Sequence, residues 1–294
     1  MPRSSPSIIE RARPLLGTRV SIRIGGMTEA AAHRRIDLGF AAIAAIHRLM
    51  SFHESASDVS RLNRGAAARA VRVHPDTLAV LRRALEIAAA SDGAFDPTVG
   101  GALVAWGYLP RPDTGTPPDR RASWRDIELL AGGRVRFHRP LWIDLGGIAK
   151  GYAVDRAMAL AGRGARVQCC VNAGGDLRVR GPRAERVLLR VAPHGGMVPV
   201  VEIENASLAS SSGREHRKRR GAVLVGPHVD RRRGRAMGTR SFVSVIAPAC
   251  IDADALTKVV LALGRRSDAV LRRFGATAYL HDGRHGWRTL GVGS

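Results

Sequence analysis

Val20, Ile22 and Ile24 alternate with Arg19, Ser21 and Arg23, a period-two pattern that predicts a half-buried strand over residues 18–24, closed by Gly25 and Gly26. The period then changes. Ile36, Phe40, Ile43, Ile46 and Met50 recur at spacings of four, three, three and four, which places them on one face of a helix. Leu78, Leu81, Leu85 and Ala88 keep the same rhythm and predict a second helix over residues 76–90, stopped at Ser91, Asp92 and Gly93. Residues 51–63 are polar and follow neither period, and residues 111–121, rich in Pro, Asp, Thr and Gly, read as an exposed loop.

From residue 135 onward the pattern turns to short β-type runs at 135–137, 141–145, 167–171, 177–180, 187–191, 198–203, 222–225 and 241–247. Helical stretches over 148–161 and 252–263 interrupt them. Strands and helices mixed in this order imply an α/β (α+β) fold with a mixed sheet and flanking helices, without a strict βαβ repeat. At 294 residues and 45% apolar composition the chain has ample material for a core, and it carries no internal repeat or heptad array.

The formal charge of +22 raises nucleic-acid or anionic-membrane binding, but the basic residues are spread along the chain. The densest cluster, residues 214–240, has no aromatic side chain on which bases could stack, so it reads as solvated loops or as an anion-attracting rim, and no nucleic-acid partner is expected. Cys169, Cys170 and Cys250 give neither a disulfide framework nor a metal-binding spacing, which indicates a reducing compartment. The first 16 residues lack the apolar run of a signal peptide, and no run is long enough to span a membrane. Together these point to a cytoplasmic protein.

Among 47 basic residues only three are lysines, at 150, 218 and 258, so each invites a reason. An ammonium is a compact point charge that fits beside a phosphate where a planar guanidinium does not. Lys150 sits in the run Asp144-Leu145-Gly146-Gly147-Ile148-Ala149-Lys150, where a strand meets two glycines and then a helix. That arrangement aims backbone N–H groups and a helix dipole at an anion; it also serves as a tight strand-to-helix connection. Neither the Walker A nor the dinucleotide-binding glycine spacing is present. Lys258 closes Asp252-Ala253-Asp254-Ala255-Leu256-Thr257-Lys258, where carboxylates near a helix start read as dipole partners, and where a carboxylate with a hydroxyl one turn on suits a hard cation such as Mg²⁺. Phe95 beside Asp96 suits the edge of a heterocycle or a simple turn, Asn172 to Asp176 reads as a glycine turn between strands, and Ser210 to Gly213 as an anion-binding or plain loop.

The order of these segments carries more than any one of them. Leu16-Gly17-Thr18, Met50-Ser51-Phe52-His53, Ser60-Arg61-Leu62-Asn63, Gly93-Ala94-Phe95-Asp96-Pro97-Thr98, Trp106-Gly107-Tyr108, the 144–155 run, Asn172-Ala173-Gly174-Gly175-Asp176, Ser211-Ser212-Gly213 and Ala253-Asp254-Ala255-Leu256 together resemble the ApbE-like FAD:protein FMN transferases. The resemblance implies an ApbE or T-fold-like architecture, one domain over residues 15–264 and a strand-rich C-terminal extension of it over 265–294. It implies an enzyme that uses FAD and Mg²⁺ to move FMN onto a Thr or Ser hydroxyl of a target flavoprotein, releasing AMP. An FAD-binding or FAD-hydrolysing relative without protein flavinylation is the alternative, and a basic nucleic-acid-binding protein the distant one. By resemblance, Leu16, His53, Ala94, Phe95, Asp96, Asp144 and Lys150 contact FAD. The same resemblance implies Gly147, Asp254 and Thr257 as metal ligands and His228 as the catalytic base.

Two departures from the family pattern matter. The Thr expected four residues after the metal-binding Asp stands one residue early, as Thr257, and Lys258 takes its place, one helical turn beyond Asp254 where it can pair with it and replace the metal's charge. Pro227 occupies the position of the family's candidate base unless a one-residue deletion brings His228 into it. Leu16 stands where Met is usual, a volume-conserving exchange.

Overall fold

The computed structural model describes residues 8–112, 116–189, 198–214, 216–237, 241–283 and 286–292. Residues 113–115 of the expected loop, 190–191 of the expected strand over 187–191, 215 and 238–240 of the basic cluster, and the first seven and last two residues of the chain lie outside these.

Eight strands form the main sheet in the order Ile9–Leu15, Thr18–Gly25, Gln168–Ala173, Asp176–Arg180, Ser207–Ser212, Ser241–Ala247, Thr277–Asp282 and Gly286–Leu290. The expected α+β class with flanking helices is what forms, but every neighbouring pair is antiparallel, so the sheet is not mixed. The connections explain this. Neighbours are joined by hairpins or by excursions that reverse direction; between Ser241–Ala247 and Thr277–Asp282 the chain runs through two helices, where a parallel return would use a single crossover helix.

Seven α-helices occur among the described residues: α1 (Glu29–Met50), α2 (Asp58–Gly65), α3 (Pro75–Ala90), α4 (Gly100–Ala105), α5 (Ala149–Ala161), α6 (Cys250–Leu263) and α7 (Asp268–Arg273). α1 packs on α5 and α5 on α6, and these three cover one face of the sheet. The stripe Ile36, Phe40, Ile43 and Ile46 meets Val20, Ile22 and Ile24 there, all of them at most 2% exposed, as the two periodicities require. On the other face a smaller cluster of Leu177, Val179 and Leu208 packs against Val201 and Ile203 of the hairpin formed by Glu185–Leu188 and Val200–Ile203. A separate three-stranded sheet joins Val71–Arg72, Arg134–Phe137 and Ile127–Leu130.

Two expectations fail here. The stretch 51–63 is not irregular throughout, because it contains α2, whose N-terminus is capped by Ser57 accepting from Ser60 N–H at 3.0 Å. Eight residues are too few to display a helical period. Residues 141–145 are extended but join no sheet. Asn63 takes the place of a neighbouring strand: its amide donates to the Ile143 carbonyl at 3.0 Å and its carbonyl accepts from Ile143 N–H at 2.8 Å.

Candidate functional site

The sequence motifs converge on one cavity of about 720 Å³, within the range of cofactor pockets. Its floor is the junction of α5 and α6. α5 begins where the buried extended segment ends, its start fixed by Ile148 and Ala149 N–H groups donating to the Leu145 carbonyl at 3.0 and 2.8 Å. Ala249, at the start of α6, offers no capping side chain, and Asp155 of α5 supplies the missing acceptor, taking hydrogen bonds from Cys250 N–H at 3.0 Å and Ile251 N–H at 2.9 Å. The two helix starts are thereby locked together.

Lys150, in the first turn of α5, pairs with the buried carboxylate of Asp176 at 2.6 Å. Lys258 of α6 pairs with the Asp254 carboxylate and donates to the Asp254 carbonyl at 3.0 Å. The other oxygen of Asp254 accepts from Gly151 N–H at 3.0 Å. Two carboxylates and two ammoniums thus balance beneath the pocket. Burial works to raise both carboxyls. Beside Asp254 it pushes Asp176 up to about 6, whereas the charges of Lys258 and Lys150 hold Asp254 itself below its ordinary range. Burial works against the charge on Lys150, but Asp176 and Asp254 outweigh it and hold Lys150 above its usual value.

Leu16, His53, Phe95, Asp96, Asp144, Gly147, Lys150 and His228 all line the cavity. Leu16 reaches it from the turn between the first two strands, in a left-handed conformation with φ of 54°. Asp96 accepts from the N–H and hydroxyl of Thr98 at 2.8 and 2.7 Å, and burial raises its carboxyl, as it raises that of Asp144. His228 is half-buried with its ring hydrogen-bonded to the Ser212 backbone. Burial, joined by the charges of Lys258 and Lys150, lowers it to about 3, so the ring is neutral.

Three expected residues do not line the cavity. Ala94 is wholly buried with its N–H on the Ser91 carbonyl; Asp254 lies behind Lys258; and Thr257 is buried with its hydroxyl donating to the Asp254 carbonyl at 2.7 Å and 2.8 Å from the Ser211 hydroxyl. Ser207–Ser212 is a sheet strand, so Ser210 to Ser212 line the pocket from a rigid wall. Two flagged positions take on further roles, and two others escaped the sequence. Lys258 lines the pocket as well as closing its motif, Asp176 is an ion-pair partner beyond its role in the turn, and His216 and Met237 reach the cavity without any sequence signal.

The residues present do not fit a divalent cation at Gly147, Asp254 and Thr257. Both carboxylate oxygens of Asp254 are engaged, and the Lys258 stem passes close enough to Gly147 that a Cβ there would meet its Cε at 3.4 Å. A divalent ion about 4 Å from the ammonium would be repelled by about 8 kcal/mol, twice the unit-charge figure at an effective dielectric of about 20. No group of three or more His, Cys, Asp or Glu among the described residues could hold a metal ion, and no described helix is long and apolar enough to cross a membrane.

An antiparallel sheet covered by helices, with a pocket among the described residues whose floor presents two ammoniums paired with carboxylates, defines an α+β protein. The chain belongs to the ApbE family, whose model matches residues 16–280. A Treponema pallidum protein named FAD:protein FMN transferase is 30% identical over 90% of this chain and 81% of its own length. A Rhodobacter capsulatus protein of the same name is 31% identical over 79% of this chain and 47% of its own. Among solved structures, the ApbE protein of Thermotoga maritima matches with a TM-score of 0.83 at 24% identity, covering 96% of both chains. The apo flavinyl transferase ApbE of Pseudomonas stutzeri matches at 0.80 and 21% over both full lengths. These two establish the fold.

Proposed function

We infer that this chain is a flavin transferase, an FAD:protein FMN transferase that moves FMN from FAD onto a Thr or Ser hydroxyl of a target flavoprotein and releases AMP. The observation that carries the reading is the convergence of eight expected site residues, from five separate segments, on one cofactor-sized pocket whose floor presents two ammoniums paired with buried carboxylates. Curated relatives of the same name support it.

In this reading the pyrophosphate lies over Lys150 and Lys258, and Phe95, Asp96, His53 and Leu16 take the rest of FAD. The acceptor oxygen bonds to the phosphorus of the FMN half, the bond to the AMP oxygen breaks, and AMP leaves with that electron pair. His228 receives the hydroxyl proton. Its neutral ring is the acceptor form, and the two lysine charges that help to depress it are offset when a pyrophosphate arrives, which raises its basicity as substrate binds. Magnesium, expected with the family, has no role in this reading, because Asp254 is engaged at both oxygens and Lys258 stands beside Gly147. In this reading residues 15–264 and 265–294 form one domain, which the pairing of Thr277–Asp282 with Ser241–Ala247 supports. A cytoplasmic location is supported by the three free thiols.

The test is incubation with FAD and an acceptor flavoprotein, reading AMP, free FMN and covalent flavin by mass. AMP with FMN on the acceptor is the expected result. AMP with free FMN would make the protein a hydrolase, and intact FAD throughout would refute both.

A further inference from the structure

We propose that Lys258 is a resident cation, holding the FAD pyrophosphate in place of a divalent metal. The inference rests on the flavin-transferase reading of the pocket and deepens it. Lys258 is built in. Its side chain is 13% exposed, its ammonium is bound by both the carboxylate and the backbone carbonyl of Asp254, and its stem packs in the space that the absent side chain of Gly147 leaves open. Two of its three N–H groups are thus accounted for by Asp254, and one donor remains beside the cavity that Lys258 lines.

The neighbouring groups repeat the logic. Asp254 has its second oxygen on Gly151 N–H, so it is a fixed anchor for the ammonium, and Thr257, the hydroxyl expected on a metal, bonds instead to the Asp254 carbonyl and Ser211. Lys150 is matched by Asp176 in the same way. With both pairs in place each ammonium is held by its carboxylate before substrate enters, and the charge of the pyrophosphate meets two ammoniums already positioned. A divalent ion added there would find Asp254 already engaged at both oxygens and a positive charge already seated.

The experiment measures FAD binding by flavin fluorescence, and FAD turnover in the presence of an acceptor flavoprotein, each in EDTA and in excess MgCl₂, for the wild type and for Lys258→Met and Lys258→Thr. Wild-type affinity and turnover are expected to be the same in both buffers. Lys258→Met, which keeps the volume and removes the charge, is expected to lose at least about tenfold in affinity in both, the scale of one lost charge-assisted contact. Lys258→Thr is expected to lose affinity in EDTA and to recover it with Mg²⁺.

Wild-type binding that collapses in EDTA and returns with Mg²⁺ overturns the proposal, as does FAD binding by Lys258→Met equal to the wild type, or failure of the wild type to bind FAD. The wild-type comparison stands even if a variant fails to fold. Metal-independent, Lys258-dependent binding without turnover would sink the transferase reading and leave the charge assignment standing. Turnover that requires Mg²⁺ would do the reverse.

Discussion

Replacing Gly151 by Ala sets two physical arguments against each other. In an ordinary helix interior the change would stabilise by roughly 0.5–1 kcal/mol, because alanine loses less backbone freedom on folding. Here the added Cβ would lie 2.2 Å from the Cys250 carbonyl oxygen and 2.9 Å from Asp254 Cβ, the first more than about 1 Å inside ordinary contact distance. The obstacle is backbone on one side, so α5 and α6 must separate. Overpacking of this kind costs about 1–3 kcal/mol, and separation weakens the hydrogen bond from Gly151 N–H to the Asp254 carboxylate, a charge-assisted bond worth about 1.5–3 kcal/mol. The net expectation is a loss of about 2–5 kcal/mol after the propensity gain is subtracted. FAD affinity should fall with it, since Lys150 and Lys258 sit on the two displaced helices. Urea unfolding followed by far-ultraviolet circular dichroism reads the first effect and flavin fluorescence the second. Gly65→Ala is the control: its Cβ would meet only Val71 Cγ2, at 3.6 Å, and should be neutral or slightly stabilising. A Gly151→Ala protein as stable as the wild type would refute the claim that close helix approach requires this glycine.

Asn63→Ala strips both partners from the buried backbone of Ile143 and should cost about 2–4 kcal/mol in urea unfolding, with Asn63→Asp recovering part through the retained acceptor; an unchanged midpoint would remove the strand-substitute role. His228→Gln should retain FAD binding and lose about 10²–10⁴ in turnover, and a variant with wild-type rate would eliminate His228 as the base. The same residue sets a pH dependence. Its folded value of about 3 lies below the ordinary 6.5, so the unfolded chain takes up the proton first and stability falls as pH drops from 6.5 toward 3, by at most about 1.4 kcal/mol per pH unit for one proton. His228→Gln should flatten that slope in pH-dependent denaturation. Asp254→Ala removes the acceptor of Gly151 N–H and the charged partner of Lys258, leaving the ammonium only the residue-254 backbone carbonyl, and should destabilise by about 3–5 kcal/mol, whereas Asp254→Asn should fold better and report on activity; a fully stable Asp254→Ala protein would contradict the anchoring role.

Local pattern by itself determined a good deal. The alternation at 18–24 and the spacing from Ile36 to Met50 specify a strand and a helix with their buried faces, because apolar periodicity and backbone geometry share one repeat. The scarcity of lysine singled out Lys150 and Lys258, and the order of short motifs was enough to indicate the family and most of the pocket's lining.

Tertiary structure decided what depends on partners distant along the chain. Nothing near residue 143 announces that an amide 80 positions earlier will replace a neighbouring strand. Nothing near Ala249 announces that Asp155 will cap α6, or near Lys150 that Asp176 lies against it. Strand direction belongs with these, since it depends on how each connection returns to the sheet. So does the state of the proposed cation site: Asp254, Thr257 and Lys258 are adjacent in sequence, but only packing against Gly147, Gly151 and Ser211 fixes where each polar atom is spent. Periodicity encodes which face is buried. It does not encode which buried polar group will meet which, because that choice is made by desolvation once distant segments have closed on one another.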